Sequence, residues 1–321
     1  MPDALSLIRD VEPEEKDGIE CQNCGNFCEE GTTICPLCDE PVQLPTLNEY
    51  GQRLPIGLVD ESTNPHTLKK EFELKKFDWQ TERAASKTWK RVMRREGTTF
   101  LDEIIVKLSH TLKSLGGTSL EKHNIDKKMQ ILYEMFPGDV FYMYVWLRVE
   151  SLGNEFALTK VKCPACGHII QEFPVDLSTI EINTRDNIDD IYHEITLRDG
   201  FEAMGETRKK ITMRPSTFRA MVQGDVEDDA EFFANVFKGS VIAIEGMPPD
   251  TTLTDADIEQ MSPRDRALVR GEVDFMSGGP RWDVVINCPN EKCKVQFDHL
   301  IDWRFSNFFR LSSPSLMRRK P

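Results

Sequence analysis

The chain has 321 residues, 39% of them hydrophobic, and a formal net charge of -14. That length accommodates two compact domains plus accessories, and the composition is that of a globular chain rather than a disordered one. No apolar run approaches the roughly 20 residues that cross a bilayer, and net acidity disfavours non-specific attraction to nucleic-acid phosphate.

The opening MPDALSLIRDVEPEEKDG is acidic and lacks a secretory apolar core, so residues 1–18 are expected to be a solvated acidic tail rather than a signal peptide. A compact module follows over residues 19–42. There Cys21 and Cys24, then Cys35 and Cys38, form two Cys-x2-Cys pairs separated by ten residues. Each pair is a knuckle that turns two thiolates toward one ion, and two knuckles complete a closed tetrahedral zinc site. Cys28 is a spare, expected to behave as a small hydrophobe or an exposed thiol. A redox reading of the pairs lacks the strand-helix surroundings of thioredoxin-like proteins.

Residues 43–67 contain Pro45, Pro55, Pro65, Gly51 and Gly57, which marks a linker or an extended lead-in strand. A first module is predicted over 68–180. It has strand-like alternation from Phe72 to Phe77, a basic helix from Thr81 to Arg95, and a helix from Thr99 to Leu115 with apolar residues at helical spacing. A further helix begins at Pro137 and ends near Gly153; its stretch from Val140 to Leu147 is apolar on every side, which predicts a buried centre. Cys163 and Cys166 follow in VKCPACGHIIQEFPVDL.

After a connector over 181–194, a second module over 195–311 repeats this order, and 312–321 form a basic tail. Met135, Pro137 and Asp139 recur 126 residues later as Met261, Pro263 and Asp265. Ile211 to Phe218 parallels the early strand, and Ala230 to Ile244 parallels the Thr99 helix. Ser262 is a predicted N-cap followed by Pro263 at the first helical position and Asp265 in the first turn; Phe136 takes the place of that serine in the first copy. Cys288 and Cys293 in INCPNEKCKVQFDHLID match Cys163 and Cys166 to within one residue at that interval. The predicted fold class is therefore α+β: an internally duplicated strand-helix-helix-ribbon module sharing one zinc ribbon, plus the small N-terminal four-cysteine module. His168 and His299 lie close to their pairs, but four thiolates already complete a site.

Two structural zinc ions per chain are thus expected, held by Cys21, Cys24, Cys35 and Cys38 and by Cys163, Cys166, Cys288 and Cys293. Closed sulfur sites leave no coordination position for water or substrate. The sequence shows no glycine-rich phosphate loop, no His-Glu-x2-His helix and no nucleophile elbow, so neither an enzyme nor a small-molecule substrate is expected. The acidic run Asp225, Glu227, Asp228, Asp229 and Glu231 lacks EF-hand spacing and reads as a solvated turn. Charge is segregated: residues 1–50 hold twelve acids and two bases, whereas Lys69 to Arg95 holds ten bases and four acids. Arg83, Lys87, Lys90, Arg91, Arg94 and Arg95, with Trp89 among them, form an exposed basic face suited to an acidic protein surface in preference to nucleic acid.

The helix ending in WLRVESLGN, then KVKCPACG and FPVDL, resembles baseplate and tail-assembly proteins of contractile-tailed bacteriophages, most specifically at Asp139, Arg148, Gly153, Cys163 and Cys166. The resemblance implies a non-enzymatic structural or assembly role at the baseplate or its hub, through contacts with other baseplate or tail proteins. Its implied location is the virion tail or the cytoplasm of the infected host. The competing reading is a cytosolic zinc-ribbon regulator that binds nucleic acid, supported by two zinc modules and one basic helix but opposed by the acidic whole.

Overall fold

The computed structural model describes residues 19–21, 27–28, 32, 35–37, 43–60, 62–63, 66–95, 97–223, 229–248 and 251–301. The chain divides into two compact units, Met1–Leu44 and Pro45–Pro321. In the first, β1 (Ile19–Glu20) pairs antiparallel with β2 (Phe27–Cys28).

The second unit mixes helix and strand. Its chain begins with α1 (Leu47–Tyr50), β3 (Arg53–Asp60) and β4 (Thr67–Leu74). Next come α2 (Trp79–Val92), α3 (Asp102–Thr111), β5 (Leu112–Leu115) and β6 (Thr118–Ser119). The sheet order is β3-β4-β5-β6, antiparallel throughout. Residues 43–67, expected as a linker or lead-in strand, thus supply the sheet's first strand. Their Pro55 and Gly57 sit where the β3–β4 register breaks between Arg53 and Leu58. A bulge is where a sheet tolerates these residue types.

The predicted Thr99 to Leu115 helix is shorter than expected, because Leu112 to Leu115 leaves the helix and pairs with β4. Apolar residues at 108, 112 and 115 satisfy helical spacing, yet sheet pairing takes the last four residues. The early strand likewise ends at Leu74 rather than Phe77, and the basic helix spans Trp79–Val92, with Asp78 capping it through Thr81 N–H at 2.8 Å.

α4 (Ile125–Tyr133) leads to α5 (Pro137–Leu152) and the hairpin β7 (Glu155–Lys162) and β8 (Ile169–Asp176). α5 is the centre of the main core: nearly every side chain from Val140 to Leu147 is buried. Tyr142 and Trp146 stack, and Phe72 meets both edge-on. Burial of each such side chain contributes about 1.5–3 kcal/mol. Buried Arg148 closes the helix by donating to the carbonyls of Gly153 and Glu155, which ties α5 to the start of β7. Burial pushes its guanidinium down to about 10.

β9 (Ile182–Asn183) precedes β10 (His193–Ala203), β11 (Glu206–Met213), α6 (Phe218–Met221), α7 (Asp229–Ser240) and β12 (Val241–Ile244). The order β10-β11-β12 is again antiparallel. The helix expected from Ala230 to Ile244 therefore also gives its last four residues to a sheet, and the strand expected to reach Phe218 stops at Met213. α8 (Asp255–Gln260), α9 (Pro263–Met276) and β13 (Gly279–Pro280) follow, then the hairpin β14 (Asp283–Asn287) and β15 (Gln296–Leu300). A second hydrophobic cluster joins Ile195, Phe201 and Met213 to Phe237, Val269 and Met276.

The recurring Asp139 and Asp265 do the same work. Each lies in the first turn of its helix and reaches into a strand bulge. Asp139 accepts from Ile56 and Gly57 N–H at 2.8 and 2.9 Å. Asp265 accepts from Arg198, Asp199 and Gly200 N–H at 2.7 to 3.0 Å, where the β10–β11 register breaks between Thr196 and Phe201. Gly57 and Gly200 adopt positive φ of 98° and 81°, and a Cβ on either would meet a backbone oxygen of the paired strand.

The two caps respond oppositely to pH. Burial pushes the Asp139 carboxyl up to about 6, against its two N–H donors and Lys70. Burial also raises Asp265, but three backbone N–H groups and Ser262 outweigh it and hold that carboxyl below its ordinary value. The Asp139 contribution is complete below the unfolded value of about 4 and is lost as pH rises through about 6. The Asp265 contribution is present above about 4 and lost as pH falls through its lowered folded value. Asp139→Asn is therefore expected to remove a decline in stability between pH 4 and 6. Urea midpoints across that range decide it; an unchanged pH profile in the variant would count against this assignment.

Candidate metal centre

The hairpins β7–β8 and β14–β15 each carry a knuckle at their turn. In the first, Cys163 N–H donates to His168 O and Gly167 N–H to Cys163 O, both at 2.9 Å. In the second, Cys288 N–H donates to Val295 O at 2.9 Å, while the longer loop is folded on Asn290, whose carbonyl accepts from Cys293 and Lys294 N–H. Gly167 and Lys294, each directly after the second cysteine, both have positive φ, 71° and 50°. The four-residue spacing is thus an enlarged knuckle rather than a broken one.

The hairpins meet at their sulfur atoms. Cys163, Cys166, Cys288 and Cys293 place all four Sγ within 4.8 Å of one another, although Cys166 and Cys288 are 121 intervening residues apart in sequence. Cys163 Sγ lies 3.9 Å from Cys293 Sγ, and Cys166 Sγ lies 3.7 Å from Cys288 Sγ. A tetrahedron with Zn–S bonds of about 2.3 Å has edges of about 3.8 Å. Disulfides require about 2.05 Å, so these are thiol separations. The chemistry and spacing fit a closed zinc site. His168 and His299 are outside the sulfur group.

The protein prepares some of these thiols for a cation and resists at others. The backbone N–H of His168 draws the Cys166 thiol down, whereas burial pushes Cys288 up. Asn290 Nδ2 also lies 3.7 Å from Cys166 Sγ, a soft contact that orients the sulfur. A bound divalent cation deprotonates its thiol ligands outright.

In the N-terminal module Cys21, Cys28 and Cys35 are buried and packed together. Leu37 N–H points at Cys35 Sγ at 3.5 Å, as a knuckle amide does. Cys24 and Cys38 lie outside the described residues, as do Asp225, Glu227 and Asp228 of the acidic run.

On α2, Arg83, Lys87, Lys90 and Arg91 are exposed, and so are Arg94 and Arg95 just beyond its end; Trp89 is partly buried against the core. Arg91 pairs with Asp126 at 2.7 Å. Sequence reasoning missed Trp79, which stands 73% exposed at the start of this helix. Its periodic position opposite Thr81, Ala85 and Val92 carries the signal.

No described helix is long and apolar enough to cross a membrane. Neither a curated protein nor a solved structure matches the chain. A family model described as T4 bacteriophage base plate protein matches residues 112–310, from β5 through α5, both hairpins and all four clustered cysteines. That span is more than half of the chain, and the protein belongs to this baseplate family.

Proposed function

We propose that the chain is a non-enzymatic structural or assembly protein of a contractile phage tail baseplate, in its hub region, acting through contacts with other baseplate or tail proteins. The family match over residues 112–310 carries this reading. The closed sulfur group supports it, because four thiolates around one ion leave no position for substrate. The proposed location is the virion tail. Interrupting the gene is expected to abolish baseplates while capsids still form. Complete, infective tails assembled without the chain would refute the role.

We further infer two structural zinc ions, one on Cys163, Cys166, Cys288 and Cys293, the other on Cys21, Cys24, Cys35 and Cys38. The body is read as an internal duplication. Its support is the order antiparallel hairpin, helix running straight into a third strand, short helix, proline-started helix and knuckled hairpin, which occurs twice. Each copy also carries a bulge held by the aspartate of its proline-started helix. On this reading the zinc clasps one hairpin from each copy, so metal binding contributes directly to folding.

A further inference from the structure

α2 turns one side to the core and leaves the opposite side open. Thr81, Ala85 and Val92 are buried, and Trp89 is partly buried beside them. Asp78 caps the helix, Thr88 Oγ1 lies 2.8 Å from His110 Nε2 on α3, and Arg91 pairs with Asp126 on α4. These contacts hold the helix in place, so its outer face is a preformed surface, and a preformed surface loses little entropy on binding.

Three rows with seven-residue spacing make up that face: Trp79, Ser86 and Met93, then Arg83 and Lys90, then Lys87 and Arg94. At about 100° per residue they share about 120° of arc opposite the buried side. The helical turn continues past Val92, since Met93 N–H donates to Trp89 O at 2.9 Å and Arg95 N–H to Val92 O at 2.8 Å. All of these face residues are exposed, Trp79 and Met93 by 73% and 58%. Glu82, the one acid of α2, falls outside the arc. Among the described residues no ion pair involves Arg83, Lys87, Lys90 or Arg94. The helix dipole favours Lys90 and Arg94 at the C-terminal end, but not Arg83 in the second turn.

The fold does not set the length of this helix. β4 passes to β5 through α2 and α3, and β11 passes to β12 through α6 and α7. α6 makes its part of that crossing with four residues where α2 has fourteen.

We propose that the outer face of α2 is the seat of an acidic amphipathic helix of another baseplate or tail protein. The partner lies along α2 with its apolar seam on Trp79, Ser86 and Met93 and its carboxylates on the two rows of cations. Residues spaced by seven nearly realign on an α-helix, which is how two helices packed side by side meet. Ser86, small and set between Trp79 and Met93, leaves room for a larger apolar side chain from the partner. Tryptophan, methionine and arginine are enriched at interfaces, and charges flanking an apolar seam select partner and register. A nucleic-acid duplex fits less well: its phosphates offer no apolar seam to Trp79 and Met93, and the chain as a whole carries a net charge of -14. The inference rests on the baseplate reading and adds to it the surface used and the chemistry of the partner.

The test places p-benzoylphenylalanine at position 79, an aromatic for an aromatic, and irradiates tails as they assemble. The expected result is a cross-link to a segment of a different tail protein with apolar residues at seven-residue spacing and an excess of Asp and Glu. That segment, made as a peptide, should bind the full chain with an affinity that falls as salt rises. Trp79→Ala should weaken binding by about tenfold or more. Arg83→Glu, Lys87→Glu and Lys90→Glu together should abolish it, with circular dichroism and urea midpoint unchanged because all three side chains are exposed. A cross-link to a second copy of this chain, to nucleic acid or to a segment without acidic excess would overturn the proposal. So would tails in which position 79 cross-links to nothing, or a peptide whose affinity ignores both salt and Trp79→Ala. Normal baseplates from the variant chains, where deleting the whole chain abolishes baseplates, would overturn this inference alone; complete tails without the chain would overturn the functional reading.

Discussion

Cys163→Ser is expected to remove the zinc proposed for the hairpin cluster and to destabilise the body of the protein by about 3 kcal/mol or more. Cys163 is buried, 3.9 Å from Cys293 across the meeting of two hairpins. Each hairpin is a separate two-stranded sheet, and a two-stranded sheet alone is marginal in water. Only part of each is anchored: Phe156, Leu158 and Ile286 face the core, whereas Ile169, Val285 and Leu300 are exposed. On the zinc reading an ion would therefore do work that packing does not. Cys288→Ser should behave alike, since its sulfur occupies another vertex. Cys28→Ser should leave both ions in place, because Cys21, Cys24, Cys35 and Cys38 already provide four thiolates. Metal analysis and urea unfolding of the three variants check this. A Cys163→Ser protein with full metal content and an unshifted midpoint would sink the shared site.

Cysteine spacing makes the four-thiol cluster the most legible part of this chain, because knuckles are local and the matching 126-residue interval points from one distant knuckle to the other. α5 is legible for a similar reason: Pro137 sets its start, Gly153 its end, and the unbroken apolar run its burial. Other features depend on contacts that no local pattern encodes. Leu112 to Leu115 satisfies a helical period as well as a strand, and pairing with β4 decides between them. Pro55 and Gly57 look like linker residues, yet they form a bulge whose amides are satisfied by Asp139, more than eighty positions away. The MxPxD repeat is visible in the sequence, but its purpose appears only when the aspartate is seen to reach another strand.

Gly138→Ala is expected to be among the most damaging single substitutions, costing about 3 kcal/mol or more. Gly138 is the second residue of α5, and a Cβ there would stand 2.4 Å from Ser277 O and 2.7 Å from Gly278 O. The contact is reciprocal: a Cβ on Gly279 would stand 2.6 Å from Gly138 Cα. These are backbone atoms, so no side chain can swing aside. Neither segment is free to retreat. Gly279 pairs with Asn183, and a Cβ on Gly278 would run into Ile56 at 2.8 Å, while the adjacent Asp139 is anchored to Ile56 and Gly57. Displacing α5 would therefore strain the bulge, the β9–β13 pair and the turn after α9 together. Gly271→Ala supplies the contrast. It lies within α9 with no atom within 4 Å of the added carbon, so alanine is expected to stabilise by about 0.5–1 kcal/mol through helix propensity alone. Urea midpoints moving in opposite directions for the same chemical change would establish that close backbone approach, rather than glycine content, joins α5 to the turn after α9 at this point; an unshifted midpoint for Gly138→Ala would show that the two segments part there without cost.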